Sequence, residues 1–244
     1  MKCYNAYENG NMKEILGETL RPGGFSLTDK SVQFCRLEPK DAVLDLGCGM
    51  GATVGHLYLR YRIKAVGVDP SEKLIGYAKE KYGFADFVIG TGENIPFSED
   101  SFNCVFSECT LSLMEDTDAA LKEIFRVLKR GGWLVISDVY AKNPGLVKGM
   151  SGIPFNTSMR GLHDLKYLEE QLKIAGFNIM HFEDCSGLLK SLMAQVVFSY
   201  GSMGAFWNKV TDNCEDVCKF QEILKACKPG YFLMITRKGD SDYE

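Results

Sequence analysis

Val43-Leu44-Asp45-Leu46-Gly47-Cys48-Gly49-Met50-Gly51 decides how this chain is read. The apolar run Ala42 to Leu46 ends in a glycine cluster, and Ala52 to Tyr61 continues with helical character. That order predicts a buried strand, a sharp turn and a helix. Glycines let the backbone turn tightly and approach a ligand where any Cβ would collide. The spacing departs from Gly-x-Gly-x-x-Gly, of which Gly47 and Gly49 satisfy only the first half. Asp45, two residues ahead of the first glycine, would repel a pyrophosphate and suits a ligand bearing a positive ammonium. Downstream, Lys64 to Val68 reads as a second strand. It ends at Asp69, where a carboxylate is placed to clamp two ribose hydroxyls.

Outward from this turn the alternation continues. Ser71 caps a helix reaching about Tyr82, and Asp86 to Ile89 and Cys104 to Ser107 read as two more strands. Asp118 to Leu128 is amphipathic, with Leu121, Ile124, Phe125 and Leu128 at helical spacing. Gly131-Gly132 is expected to close that helix before a strand from Trp133 to Asp138. Regular strand–helix alternation with short connections implies an α/β fold with a doubly wound, mostly parallel sheet. Beyond Tyr140 the pattern loosens. Residues 141–162, with Pro144, Pro154 and several glycines, read as a long loop or mobile segment. Leu165 to Ala175 reads as helix, Asn178 to Glu183 as strand and Leu188 to Tyr200 as helix. Residues 201–228 read as a polar, partly helical insert, Tyr231 to Arg237 as a last strand and 239–244 as a fraying tail. Upstream, Asp29 to Arg36 reads as a helix.

The chain has 244 residues, 28 Lys+Arg against 32 Asp+Glu, and a formal net charge of -4. Mild acidity without a basic stripe argues against a nucleic-acid partner held by counterion release. No apolar run approaches the roughly 18 to 20 residues needed to cross a bilayer, so no membrane partner is expected. The polar start, MKCYNAYENGNMKE, has no apolar core of a secretory signal. A cytoplasmic protein is expected, whose nine cysteines stay reduced. They form no Cys-x-x-Cys pair, and no metal site is assigned. Cys214 and Cys218, four residues apart with Cys227 nearby, are the one grouping weighed as a soft-metal or metalloid site; packing is the blander reading.

Taken together, the motifs resemble the class I S-adenosylmethionine-dependent methyltransferases. The likeness runs on in order through Gly90-Thr91-Gly92-Glu93-Asn94-Ile95-Pro96-Phe97, Asp100-Ser101-Phe102-Asn103 and Leu128-Lys129-Arg130-Gly131-Gly132-Trp133. It covers about residues 35–140. Within that superfamily, Ser107 to Tyr140 is similar to the ubiquinone/menaquinone and arsenite methyltransferase branch. The resemblance implies a Rossmann-like sheet of seven strands, the last antiparallel, in a single domain. Residues 1–34 would form an N-terminal lid segment and 141–228 a substrate-side elaboration. It implies S-adenosylmethionine (SAM) as cofactor and methyl transfer to a small-molecule acceptor by in-line displacement. Within 201–228, Met203, Phe206, Trp207 and Phe220 would cover the substrate pocket, pack as core, or make a homodimer contact.

The resemblance also distributes roles. Asp45 and the backbone of Gly47, Cys48, Gly49 and Gly51 would hold the methionine end of SAM, and Arg21 would meet its carboxylate. Asp69 would accept from the ribose hydroxyls, with Pro70 and Leu74 near the adenine and Gly92 and Glu93 at its edge. Relatives carry Asp where this chain has Thr91, so the adenine amino contact differs here. Ser107 and Glu108 would face the methyl group. Cys109, just after the fourth strand, and Tyr140, just after the fifth, join Glu108 as candidate catalytic residues. Of the histidines, His56 is expected to pack, His181 to be structural and His163 to cap a helix or lie at the surface, with a reach into the active site as its functional alternative. The arsenite enzymes carry a further Cys after the fifth strand, and residues 141–184 contain none. The main rival is a SAM-binding regulatory or assembly protein without turnover. A nicotinamide enzyme is disfavoured by Asp45, and a nucleic-acid methyltransferase by the charge and by Ser107-Glu108-Cys109-Thr110 standing where a base-holding motif would be.

Overall fold

Apolar runs bounded by glycine and polar residues become strands, an inner one buried along its whole length. In β2 (Val43–Leu46) all four side chains are buried, as a strand covered on both faces by helices requires. The computed structural model describes residues 4–8, 17–19, 21–150, 152–211 and 216–239. Besides β2, the strands are β1 (Tyr4–Asn5), β3 (Ala65–Asp69), β4 (Asp86–Ile89), β5 (Phe102–Glu108), β6 (Leu128–Ala141), β7 (Phe155–Asn156), β8 (Phe177–Asp184) and β9 (Pro229–Lys238). Seven of them form one sheet in the order β4-β3-β2-β5-β6-β9-β8. Pairing is parallel from β4 through β6, and β9 runs antiparallel to both β6 and β8. The expected seven-stranded sheet with an antiparallel last strand is the fold observed. A separate two-stranded parallel sheet joins β1 to β7, and nothing in the local sequence announced that contact.

Eight helices of the described residues cover the sheet: α1 (Ser26–Cys35), α2 (Ala52–Tyr61), α3 (Glu72–Lys81), α4 (Thr117–Val127), α5 (Leu165–Ile174), α6 (Ser186–Tyr200), α7 (Met203–Val210) and α8 (Val217–Cys227). Their starts follow side-chain chemistry. Ser71 accepts from the Leu74 N–H, Asp116 from Ala119 and Asp164 from Lys166 and Tyr167, each satisfying a first-turn donor that the helix leaves open. The core lies on both faces of the sheet; α4 buries Ala120, Leu121, Ile124 and Val127 on one of them.

Three readings change. Helix α4 ends at Val127, and Leu128 already pairs with Phe102. The glycine pair lies in an excursion of β6, before Trp133 resumes pairing with Cys104. A Cβ on Gly132 would stand 2.8 Å from the Lys129 carbonyl oxygen and 3.2 Å from that of Asn103, so only glycine lets the chain double back there. The region 141–162 is tied down more than its prolines and glycines suggest: two 3₁₀ segments, Pro144–Met150 and Ser158–Arg160, flank β7. The 201–228 region is not polar in its placement. Its apolar residues recur at helical spacing, so Phe206, Trp207, Val210 and Phe220 enter the core through α7 and α8. Of the tail, residues 240–244 lie outside the described residues. No helix among the described residues is long and apolar enough to cross a membrane.

Candidate active site

Strand order makes the site. From β2 the chain moves outward to β3 and β4, then returns to the other side of β2 as β5. The connections after β2 and β5 therefore part company, which opens a crevice at their carboxyl ends. A cavity of about 610 Å³ lies there. Its floor carries Asp45 from β2 and Glu108 from β5, and its side carries Asp69 from β3.

The glycine turn is anchored from below: the N–H groups of Gly47 and Cys48 both donate to the Val68 carbonyl, at 2.7 and 3.0 Å. Gly47 and Gly49 have φ of +74° and +52°, in the left-handed region. A Cβ on Gly47 would come within 2.1 Å of the Thr110 methyl, whereas one on Gly49 would meet nothing within 4 Å. Gly47 thus locks the turn against the loop after β5, and Gly49 presents bare backbone to the cavity. Asp69 Oδ2 accepts from the Gly49 N–H and Oδ1 from the Ser71 N–H, both at 2.9 Å. Burial nevertheless pushes the Asp69 carboxyl upward from its ordinary pKa, against those two donors.

Charge dominates the lining. Asp45, Asp69, Glu93, Glu108, Glu115 and Asp116 face the cavity, and Arg21 is the one cation among the described lining residues. Arg21 is enclosed. Its Nη1 donates to Thr53 Oγ1 at 3.0 Å and its Nη2 to Thr28 Oγ1 at 2.8 Å. Those two hydroxyls donate onward to Glu108, at 2.9 and 2.8 Å, and Arg21 Nη2 stands 2.9 Å from Glu108 Oε2. One guanidinium therefore neutralises one carboxylate directly and through two hydroxyls, joining the N-terminal segment, α1, α2 and β5. Asp45 receives no hydrogen bond from a described residue. Burial first, then the Glu108 charge, push its carboxyl up to about 8, with Arg21 opposing and Asp69 adding.

At the far end of the crevice stand Cys109 and Tyr7. Cys109, at φ +56°, is held in the left-handed region by its N–H bond to the Ser137 carbonyl at 2.7 Å. Its thiol donates to Tyr231 Oη at 3.5 Å, and burial pushes its pKa up. Tyr7 donates to Ser158 Oγ at 3.0 Å and accepts from the Ser158 N–H at 3.1 Å; burial pushes the phenol up to about 12.

The structure gathers most of the residues singled out from the sequence. Asp45, Gly47, Cys48, Gly49, Asp69 and Pro70 line the cavity, as do Leu74, Gly92, Glu93, Glu108, Cys109 and Arg21. Three stand apart. Gly51 packs against Phe87 and Ala78. Ser107 is fully buried beneath the floor with its Oγ unpartnered among the described residues. Tyr140 lines no part of the crevice and donates to Asp184 Oδ2 at 3.1 Å. His163 is neither a cap nor at the surface. It is buried, 3.4 Å from Asp138 Oδ2, because its backbone bridges to β6 beside Tyr140, while Asp164 takes the cap of α5. His56 stacks on Phe25 and bonds Asp29, and His181 lies in β8 beside Glu183. Cys214 lies outside the described residues. Cys218 is exposed and Cys227 buried, as nine residues along a helix place two side chains on opposite faces. Tyr7, Thr28, Thr53 and Thr110 went unrecognised. Each acts through a contact far away in sequence, which no local pattern encodes.

Residues 44–136 match the family described as "Methyltransferase domain". Over that stretch the chain is similar to methyltransferases. Among curated proteins it is similar to phosphoethanolamine N-methyltransferase 1 of Zea mays, 31% identical over 168 residues, or 66% of this chain and 33% of that protein. It is also similar to the uncharacterized methyltransferase YodH of Bacillus subtilis (strain 168), 35% identical over 50% of this chain and 54% of that one. The chain spans about a third of the length of the phosphoethanolamine enzymes it matches. Among solved structures, phosphoethanolamine N-methyltransferase 2 of Haemonchus contortus, in complex with S-adenosyl-L-methionine, shares the fold with TM-score 0.73. It is 19% identical over 94% of this chain and 56% of that one. The [4+2]-cyclase SpnF shares the fold over 98% of both chains, with TM-score 0.71 and 20% identity.

The residues of the crevice fit the cofactor that the motifs imply. A positively charged ligand would meet a crevice rich in carboxylates and find in Asp45 a buried acid to which no described residue donates a hydrogen bond. The bare backbone at Gly49 leaves space where a side chain would intrude. Asp69, although bound to two N–H groups, keeps a lone pair on each oxygen for further donors.

Proposed function

We propose that the protein is a SAM-dependent methyltransferase acting on a small-molecule acceptor. The observation that carries this reading is the convergence of Asp45, Asp69 and the open backbone of Gly49 on one crevice at the switch point of the sheet. Asp45 ionises against the cofactor ammonium, Asp69 accepts from the ribose hydroxyls, and Pro70, Leu74, Gly92 and Glu93 border the adenine. When bound, SAM supplies a methyl group on a positively charged sulfur that keeps the bonding pair as the methyl leaves.

The chain's own residues then have to position the acceptor and keep water out. The Arg21–Glu108 cage holds Arg21 at the crevice beside Glu18 and Thr19, making Glu108 a positioning residue whose carboxylate is already occupied by three donors. At the junction with the acceptor side, Cys109 stays a neutral thiol and Tyr7 a neutral phenol near pH 7, since both are pushed upward by burial. Neither takes a proton readily, so a proton lost by the acceptor passes to water, and positioning supplies the rate.

The test is calorimetric titration of the purified protein with SAM and with its demethylated product, followed by a tritiated-methyl transfer assay over a panel of small acceptors. Both nucleosides should bind, and Asp69→Ala should weaken binding by about 1.5–3 kcal/mol, the scale of a charge-assisted hydrogen bond. A folded protein that binds neither refutes the reading, and an unchanged Asp69→Ala means the cofactor is placed wrongly. Binding without transfer to any acceptor would support a regulatory or assembly role instead.

A further inference from the structure

Behind the acidic crevice lies a second cavity of different chemistry. It is small, about 50 Å³, and Tyr7 and Cys109 line both cavities. Its far wall is built by α6 and α7, through side chains such as Leu189, Val196, Phe206 and Trp207. No charged side chain is among its described lining residues. Trp207 is 3% exposed, and its Nε1–H has no hydrogen-bond partner among the described residues. An unpaired buried donor costs on the order of 1–3 kcal/mol, so a ligand oxygen that accepts from it has something to gain. Met159, Met193 and Met203 also line the chamber. Methionine side chains repack at low cost, which lets so small a void widen around an apolar body.

The charge pattern excludes the obvious alternative. A phosphate ester calls for free Arg or Lys donors. Arg21, the one described cation along the crevice, is already committed to Glu108, and the other charges there are carboxylates.

We propose that the acceptor is an uncharged, largely apolar molecule carrying one hydroxyl or carbonyl oxygen. Its body occupies the chamber beneath α6 and α7, and its oxygen accepts from the Trp207 indole N–H. Its reacting atom, an unsaturated carbon that gives its π pair to the methyl and then releases a proton to water, lies in the gap between Cys109 and Tyr7. This rests on the methyl-transfer reading above and narrows its substrate class. The hydroxyl pair Tyr7–Ser158 closes the gap on the side of β7.

The experiment uses the intrinsic fluorescence of Trp207 in the full chain, with Trp133→Phe removing the other indole. The protein, saturated with S-adenosylhomocysteine, is titrated with n-decanol as an uncharged apolar alcohol and with phosphoethanolamine as a charged one. Decanol should give a saturable change and phosphoethanolamine none. Val196→Phe, which fills the chamber, should weaken decanol by about tenfold while S-adenosylhomocysteine still binds. Met193→Phe, at a partly exposed wall position, provides a second filled variant without adding an indole, should Val196→Phe fail to fold. The proposal is overturned if decanol leaves Trp207 unchanged in protein that binds S-adenosylhomocysteine. It is equally overturned if phosphoethanolamine gives the saturable change, or if a folded filled variant binds decanol as the parent does. If S-adenosylhomocysteine does not bind but decanol does, the cofactor reading falls and the apolar chamber stands.

Discussion

Asp45→Asn should stabilise the ligand-free protein while weakening its cofactor site. In the folded chain the Asp45 carboxyl titrates at about 8, against 3.8 in the ordinary state. A group whose folded pKa is raised holds its proton longer in the folded state, so its contribution is most favourable below about pH 4. That contribution is lost as the pH rises toward 8, because the unfolded chain ionises freely and the folded one does not. At 1.36 kcal/mol per decade, the loss is on the order of 5 kcal/mol at pH 8, about 2 kcal/mol at pH 5, and under about 1 kcal/mol at pH 4. Asn carries no charge at any pH and has nearly the shape of the protonated acid, so it escapes this cost. Urea unfolding of parent and variant at pH 8 and pH 4 reads it directly. The variant should lead at pH 8 by several kcal/mol, or roughly 5–15 °C in Tm for a chain of this size, and the two should converge at pH 4. The same acid makes binding proton-linked. With a pKa near 8, about nine-tenths of Asp45 is protonated at pH 7, and an ammonium ligand drives that proton off. Calorimetry in two buffers of different ionisation enthalpy should register close to one proton released per cofactor, and none in Asp45→Asn. A variant less stable at pH 8, or a gap that does not change with pH, would refute the reasoning.

Arg21→Met should cost about 3–5 kcal/mol in urea unfolding, because it strands the Glu108 carboxylate in a site where its side chain is 2% exposed; adding Glu108→Gln should recover most of that loss. Gly47→Ala should lose about 1–3 kcal/mol of stability, as its Cβ would stand 2.1 Å from the Thr110 methyl at a φ of +74°. Thr110→Ala in the same chain should restore only the steric part, which thermal melts would resolve. Cys109, with its thiol raised by burial, should react with iodoacetamide far more slowly at pH 7 than exposed Cys218, as peptide mass spectrometry would show; fast alkylation of Cys109 would contradict the geometry.

The local sequence determined the strand–turn–helix around Asp45 and Gly47 because its causes are local. An apolar run must be buried, glycine alone tolerates the turn, and Ser71, Asp116 and Asp164 cap helices with their own side chains. The order of these units, with right-handed crossovers, also sufficed for the parallel half of the sheet and hence for the crevice holding Asp45, Asp69 and Glu108. The chemistry of a single position was legible where its backbone surroundings decide it, as at Gly49. Tertiary structure alone decided which groups meet across long separations. The Arg21 guanidinium meets Glu108 directly and by way of Thr28 and Thr53. Tyr140 turned toward Asp184, His163 toward Asp138, and Tyr7 reached Ser158 through a two-residue sheet between chain segments 151 positions apart. A side chain's partner is set by the packing that excludes water around it, and a low local dielectric then makes each pairing strong. Such packing depends on every layer of the fold at once, so the acidic crevice is written in neighbouring residues while the apolar chamber behind it exists only once α6 and α7 close over the sheet.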